Sequence, residues 1–335
     1  MTRPEQYDLP ERLFTRLEHC WICGGKALVP ATDGKLDLER LAVDPVLRDY
    51  VGYRFQIQRC KSCKFMQPTA IPARSEYFDS LYNMQWSEEW METDFSCTYK
   101  DAIFQGILQE LAKRLPEGRR RLLDVGCHVG RMPYLAHRAG WQAEGIELNP
   151  RTSDFAVRRT GLPIHRRNAR TLANEGVRYD AVLMTDVLEH IPNPLTLLKE
   201  LRTLLSPGGV LAIKVPCGAN QLLKQRIRHA MNRGEDAGIG TNYVHVNHFG
   251  PQSLALAMRK AGLEAVRIGI GAPELSPGSG VRGAIDRGIR SAVYLAGRLI
   301  PFGVQTPLAL NLQAFGTAPI NEPKCEQQPN GAGTQ

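Results

Sequence analysis

The period of the apolar positions along this chain changes near residue 121. Before that point, CTYKDAIFQGILQELAKRL places Ile103, Ile107, Leu108, Leu111 and Leu115 at three- and four-residue intervals, which predicts an amphipathic helix. After it, short apolar runs alternate with helical stretches. LLDVG reads as a buried strand and MPYLAHRAG as the helix behind it. QAEGIEL is a second strand, followed by PRTSDFAVRRTG, a helix opened by Pro150. PIHRRN is a third strand and YDAVLMTDV a fourth. NPLTLLKELRTLLSPGG is an amphipathic helix stopped by Pro-Gly-Gly, and VLAIKVP is a fifth strand. PQSLALAMRKAGL is a further helix, and EAVRIGIG and LALNLQAFG are late strands. This alternation predicts an α/β fold, a doubly wound, largely parallel sheet covered on both faces. Residues 119–320 are expected to form it, with 76–118 as a helical cover, 1–75 as a small N-terminal unit and 321–335 as a disordered tail.

The turn after the first strand of the sheet is rich in glycine. In LLDVGCHVGRMPYLA, Asp124 ends the strand, Gly126 follows and Gly130 opens the helix. Glycine there lets the backbone approach a ligand that a side chain would block. The carboxyl end of a central parallel strand is also where doubly wound folds bind ligands. The next strand ends at Glu147, about 20 residues on, where a carboxylate can accept both hydroxyl hydrogens of a ribose. The dinucleotide fingerprint G-x-G-x-x-G seats a pyrophosphate on the helix N-terminus. Here the pattern is D-x-G-x-x-x-G, and Asp124 would repel a pyrophosphate while suiting a ligand with an amino group and a sulfonium.

With these residues the chain resembles the class I S-adenosylmethionine (SAM)-dependent methyltransferases, best over Arg121 to Pro216. LLDVGCHVG is similar to the family's first motif and GIELNP to its second. YDAVLMTDVLEHIPNP is similar to the segment that closes over the methyl donor, and LLSPGGVLAIKVP to the helix-turn-strand after it. The resemblance implies a seven-stranded Rossmann-like sheet with SAM as cofactor. It implies that Asp124, Gly126, Cys127 and Gly130 surround the methionine part and that Glu147 holds the ribose. Asn168 falls where the family often contacts the adenine amine, the other reading being a turn residue. Asp186 joins this cofactor set at the end of the fourth strand. His128 and Met132 depart from the family's small or apolar residues and read as lining residues.

Cys20-Trp-Ile-Cys23 and Cys60-Lys-Ser-Cys63 are two C-x-x-C pairs about 36 residues apart. Each offers two thiolates on a tight turn, and together they can complete a tetrahedral Zn²⁺ site. Reduced, buried or redox-active thiols are the alternative. A closed Cys₄ site leaves no open coordination position, so a structural zinc is expected. The arrangement resembles N-terminal zinc modules of some sugar and natural-product methyltransferases. In those enzymes the module helps to cover the substrate cleft. Gly24 and Gly25 suit the turn after the first pair, and Lys64 stands at the equivalent place after the second.

Methyl transfer to a hydroxyl calls for a general base. His190, with Asp186 and Glu189, follows the fourth strand, and His245 and His248 lie in NYVHVNHFGPQSL. These three histidines are the catalytic candidates, packing or capping being the alternative for each. Asp186-x-x-Glu189-His190 with His248 also resembles the metal-binding pattern of small-RNA 2′-O-methyltransferases, which have Glu where Asp186 stands, and quinone-pathway O-methyltransferases carry a related segment.

Charge and composition set the partners. The formal net charge is +8, with arginine spread widely, which permits acidic substrates, nucleic acid or anionic lipid as well as a solvated basic surface. An RNA-binding module and an Asn-Pro-Pro-Tyr base-methylation motif are missing, so nucleic acid is disfavoured. The charged N-terminus MTRPEQYDLPERLF lacks an apolar core and no run is long enough to span a membrane, so a cytoplasmic enzyme is expected. Two insertions, CGANQLLKQRIRHAMNRGEDAGIGTNYVHVNH and APELSPGSGVRGAIDRGIRSAVYLAGRLIPFG, are expected to build the acceptor side. In the second, Ile285, Ile289, Val293 and Leu299 form a stripe beside Arg282, Arg287, Arg290 and Arg298. It reads either as a helix packed on its own domain or as a peripheral membrane contact through 282–300. The combined expectation is methyl transfer to a small-molecule or glycan acceptor, such as a sugar hydroxyl. An RNA or quinone-type O-methyltransferase and a non-catalytic SAM-fold scaffold are the alternatives.

Overall fold

The computed structural model describes residues 9–38, 44–82, 86–231, 239–275 and 280–320, so the expected disordered tail lies outside the described residues. The N-terminal part carries β1 (Phe14–Arg16), β2 (Leu28–Lys35), the short α1 (Pro45–Arg48), β3 (Arg54–Cys60), β4 (Met66–Pro68) and β5 (Ala70–Pro72). Strands β2, β3 and β4 form an antiparallel sheet, and β1 pairs with β5. Three helices follow: α2 (Glu76–Tyr82), α3 (Glu88–Ser96) and α4 (Asp101–Arg114). The predicted apolar stripe of α4 is buried at Ile103, Ile107, Leu108 and Leu111.

The main domain begins with β6 (Arg121–Val125) and α5 (Arg131–Arg138), then β7 (Gln142–Ile146), α6 (Pro150–Thr160), β8 (Ile164–His165) and α7 (Ala169–Asn174). It continues through β9 (Tyr179–Thr185), α8 (Pro194–Thr203), β10 (Leu205–Pro216), α9 (Gly218–Ala230) and α10 (Pro251–Lys260). It closes with β11 (Glu264–Gly271), α11 (Gly280–Leu299) and β12 (Asn311–Thr317). The seven strands lie in the order β11-β12-β10-β9-β6-β7-β8. All neighbours are parallel except β12, which runs antiparallel between β10 and β11. Successive strands β6, β7 and β8 run outward on one side of β6, and β9 returns to its other side. The switch point therefore lies at the carboxyl ends of β6 and β9, where Asp124 and Asp186 stand. The third predicted strand is shorter than the run PIHRRN: only Ile164–His165 pair with β7, and three polar residues after them leave this edge of the sheet.

The N-terminal part shares its interior with the main domain. Cys20, Ile22, Cys60, Cys63 and Phe65 belong to the same buried cluster as the β9 and β10 residues Val182, Met184, Ile213 and Val215. A second cluster joins Leu36, Leu38, Phe55 and Tyr77 to Ile239, Tyr243 and Val246. Backbone bonds cross the same seam: Met66 and His248 exchange both N–H···O bonds, at 3.2 and 3.0 Å, and Lys35 N–H donates to Gly240 O at 2.9 Å. The segment 239–249 is thereby held between the two parts.

Candidate functional site

The turn after β6 has the conformation its glycines suggested. Gly126 has φ +74°, and a Cβ there would lie 2.5 Å from the Val187 side chain. Gly130 has φ +81° and caps α5. Cys127 is buried, and its sulfur fills the space where a Cβ on Gly145 would stand, 2.5 Å away. Asp124 is 4% exposed and has no ion pair among the described residues. Burial, and then the negative charge of Glu147, push its carboxyl up to about 8. A buried anion without a counter-charge is costly, so the site fits a cationic ligand group. Thr185, on the neighbouring strand, also leaves a buried hydroxyl unpartnered.

Glu147 is held by backbone donors. His128 N–H donates to Oε2 at 2.9 Å and Asn149 N–H to Oε1 at 2.8 Å. Each oxygen keeps a lone pair, as hydroxyl binding needs. Asn149 in turn caps α6, its side chain accepting from Arg151 and Thr152 N–H. Asn168 is exposed and caps α7, where its Oδ1 accepts from both Thr171 N–H and Thr171 Oγ1–H at 3.0 and 2.9 Å. Its side-chain oxygen is thus engaged in the turn. Beside His128 lie Trp86 and Trp90, stacked 3.9 Å apart, each edge-on to the His128 ring.

Asp186 has a positive φ of 57°, a conformation rare outside glycine, and stands in a charge cluster. Lys214 on β10, 1% exposed at its side chain, donates to both Asp186 oxygens at 2.7 and 2.8 Å and to Glu274 at 2.5 Å. Lys100 lies 3.8 Å from Asp186. Burial raises Asp186 against the pull of Lys214. Burial would raise Glu274 as well, but Lys214 and Lys100 overcome it and hold its carboxyl down at about 2.

A cleft of about 340 Å³ opens beside this cluster, lined among others by Glu189, His190, His245, Lys224 and Arg290. His190 is fixed through Nδ1, which meets Val244 O and lies 3.0 Å from Tyr82 Oη. Tyr82 Oη–H itself donates to Val244 O at 2.6 Å, so the proton sits on His190 Nδ1 and Nε2 keeps its lone pair. Burial depresses the His190 pKa, which favours the neutral ring. His245 packs against it with ring centroids 4.8 Å apart. Gln221 bridges the other two histidines: its Nε2 lies 2.8 Å from His245 Nδ1 and its Oε1 2.8 Å from His248 Nδ1. His245 therefore accepts at Nδ1. His248 is fully buried, its pKa pushed down to about 3 by burial, and it stands behind Gln221 rather than in the cleft. The structure thus brings His190 and His245 together and holds His248 apart. Glu189, 2% exposed, is raised well above the usual carboxylate range by burial and then by Asp186, and its Oε2 has no partner. Glu189, His190 and His245 have ligand atoms within 4.8 Å of one another. Tyr82, Lys214, Gln221 and Glu274 were not singled out in the sequence, although Gln221 and Glu274 lie in the two insertions expected to build the acceptor side. Lys214 left a signal of its own, a lone charge inside the apolar run LAIKVP.

At the other end, Cys20, Cys23, Cys60 and Cys63 converge, all four sulfurs within 4.8 Å of one another. The closest pairs, Cys20–Cys63 and Cys23–Cys60, stand 3.5 and 3.4 Å apart. A tetrahedron with Zn–S distances of about 2.3 Å separates its sulfurs by roughly 3.8 Å, so the four fit one zinc ion. Both turns are alike. Gly24 N–H donates to Cys20 O and Lys64 N–H to Cys60 O, and Lys64 adopts φ +63° beside +78° for Gly24. Lys64 thus takes the glycine conformation, its Nζ donating to Lys61 O at 2.6 Å.

Residues 98–268 match the methyltransferase-domain family. Among curated proteins, the chain is 39% identical over 108 residues to a ubiquinone biosynthesis O-methyltransferase of Cereibacter sphaeroides, covering 31% of this chain and 44% of that protein. It is 34% identical over 129 residues to the protein of that name from Parvibaculum lavamentivorans, covering 37% of this chain and 47% of that one. The chain spans about half the length of the curated relatives it matches. Among solved structures, phosphoethanolamine N-methyltransferase 2 of Haemonchus contortus in complex with SAM covers 92% of this chain and 71% of its own, with 13% identity and a TM-score of 0.48.

Proposed function

The chain belongs to the methyltransferase-domain family as a class I SAM-dependent methyltransferase, and on that premise we propose that it methylates a hydroxyl oxygen of a small-molecule acceptor. The observation that carries this reading is His190: it lines the cleft, its Nδ1 proton is committed to Val244 O, and its Nε2, 4.0 Å from Glu189 Oε1, keeps its lone pair. SAM, when bound, supplies an already activated methyl group. The chain's own work is to align an oxygen with it, exclude water and accept one proton.

Asp124 is assigned to the ligand's amino group and Glu147 to its ribose, with Gly126, Cys127 and Gly130 shaping the turn between them. His190 Nε2 takes the hydroxyl proton. His245, accepting from Gln221, packs its ring against that of His190 at the cleft wall. His248 holds Gln221 from behind. The relatives named for ubiquinone biosynthesis support oxygen as the methylated atom and a quinone-type head group ahead of the sugar hydroxyl expected from the sequence. A Zn²⁺ held by Cys20, Cys23, Cys60 and Cys63 has a structural role, since four thiolates leave it no open position.

A second reading rests on Glu189. Its unpartnered Oε2 and the closeness of His190 and His245 suit a divalent cation that binds the acceptor oxygens. Asp186 is engaged by Lys214 and His248 is set back, so the ligand set would differ from the pattern in the sequence.

The test uses methyl-labelled SAM with catechol and polyol acceptors. An ether product is expected from the wild-type protein. His190→Ala is expected to lose on the order of 10²–10⁴-fold in turnover with S-adenosylhomocysteine affinity kept. Label found only on nitrogen or sulfur acceptors overturns the oxygen assignment. Activity abolished by chelation and restored by Mg²⁺ moves the second reading ahead.

A further inference from the structure

Helix α11 is amphipathic, and it is turned the unusual way round. Its two buried residues are Gly283 and Gly297, which fall on one side, close to four turns apart. A Cβ on Gly297 would lie 3.0 Å from Ile270 Cδ1 and 3.4 Å from Leu308 O, so the glycines let this face sit directly on the domain. At roughly 100° per residue, Val281, Ile285, Ile289, Leu295 and Leu299 lie on the opposite face. They are between 56% and 82% exposed, and Phe302, just beyond the helix, is 77% exposed. A helix that packs on its own domain buries such a stripe; this one presents it outward.

Helix α9 repeats the pattern. Leu223, Ile227 and Met231, four residues apart, are 41–52% exposed. The charges on both helices are mainly basic. Helix α9 carries Lys224, Arg226, Arg228 and His229 and no acidic residue, and α11 carries four arginines against Asp286, which pairs with Arg290 at 2.7 Å. Lys224 of α9 and Arg290 of α11 both line the cleft that holds His190, so the two helices flank its opening.

From this we infer that α9 and α11 dock the enzyme on an anionic lipid bilayer, and that the acceptor is an amphiphile with an apolar tail drawn from that bilayer. An apolar face flanked by arginines and lysines is the pattern of a helix lying in the lipid interface, with the basic side chains reaching the head groups. Two helices that each carry a row of exposed large apolar side chains are uncommon on a protein that meets only water. Among the described residues no helix is long and apolar enough to cross a membrane, so the contact is peripheral. The acceptor class rests on the methyl-transfer reading; the docking does not.

The experiment is cosedimentation of the full chain with vesicles of phosphatidylcholine, with and without phosphatidylglycerol. Binding is expected to the anionic vesicles, weakened by salt, and to fall on the order of tenfold or more in Ile285→Glu/Ile289→Glu. These positions are solvent-exposed, and S-adenosylhomocysteine titration of the same variant should match wild type, so loss of fold or of cofactor binding is read separately. Equal binding to neutral and anionic vesicles, or none to either, overturns the inference. So does light scattering that finds a dimer which the double variant dissociates, since a second copy then covers the face.

Discussion

Asp124 and Glu147 end two adjacent parallel strands, and among the described residues neither carboxylate meets a cation. The two differ in what compensates them. Glu147 is tied to two backbone N–H groups, whereas Asp124 is enclosed and keeps its proton to about pH 8. A cationic ligand group would supply the counter-charge that an ionised Asp124 lacks.

That difference fixes a pH dependence. An unfolded Asp titrates near 4, and the folded protein holds this proton to about 8. The folded state thus binds more protons between those values, and this contribution to stability is present below about pH 4 and lost as pH rises through about 8. A ligand ammonium expels the proton. Calorimetry of S-adenosylhomocysteine near pH 7, in buffers of different ionisation enthalpy, should register release of about one proton, and Asp124→Asn should abolish it. Proton uptake, or no transfer, removes Asp124 from the amino-group role.

Glu147→Ala removes the carboxylate and with it the acceptor for His128 and Asn149 N–H. Its S-adenosylhomocysteine affinity should weaken by about 1.5–3 kcal/mol, the usual worth of hydrogen bonds to a charged group. Undiminished binding by titration sinks the ribose assignment.

The four cysteines should hold about one zinc per chain by elemental analysis, as a closed Cys₄ site requires. Cys20, Cys60 and Cys63 share a buried cluster with the central sheet. Loss of the metal in Cys60→Ser should therefore lower the melting temperature of the whole protein. Metal-free wild-type protein of undiminished stability refutes the site.

His190 and His248 should separate in kinetics. The acid limb of the wild-type rate profile should fall below pH 6.5, because burial depresses the His190 pKa. His248→Gln should cost far less turnover than His190→Ala, since His248 reaches the cleft only through Gln221. Equal losses in both variants contradict the assignment of the base.

Lys214→Met leaves Asp186 and Glu274 without the lysine that both bond, with only the more distant Lys100 nearby. Breaking a buried pair in this way typically costs about 3–5 kcal/mol. Chemical denaturation should find a loss of that order, largest above neutral pH, where both carboxyls are ionised.

Much of this was legible along the chain because it depends on neighbours in sequence. The period of α4, the turn at Gly126, the Asn149–Pro150 start of α6 and the Cys pairs are all local patterns. What escaped depends on distant partners. Lys214 meets Glu274 across 60 residues, and Gln221 joins His245 and His248 from a different element. The outward face of α11 stayed open between two readings for another reason. Periodicity reveals that a helix has two faces, but which one meets the protein was decided here by Gly283 and Gly297, residues that carry almost no hydrophobic signal.

Strand β12 separates β10 from β11, yet it follows both in the chain. On a translating ribosome, β11 emerges with no sheet neighbour to join. Its hydrogen-bonding edge, and one side of β10, wait until Asn311–Thr317 has cleared the exit tunnel. The enzyme therefore cannot complete its sheet during most of its own synthesis, and a nascent chain stalled before residue 311 would expose two open strand edges to whatever chaperone or neighbouring chain reaches them first.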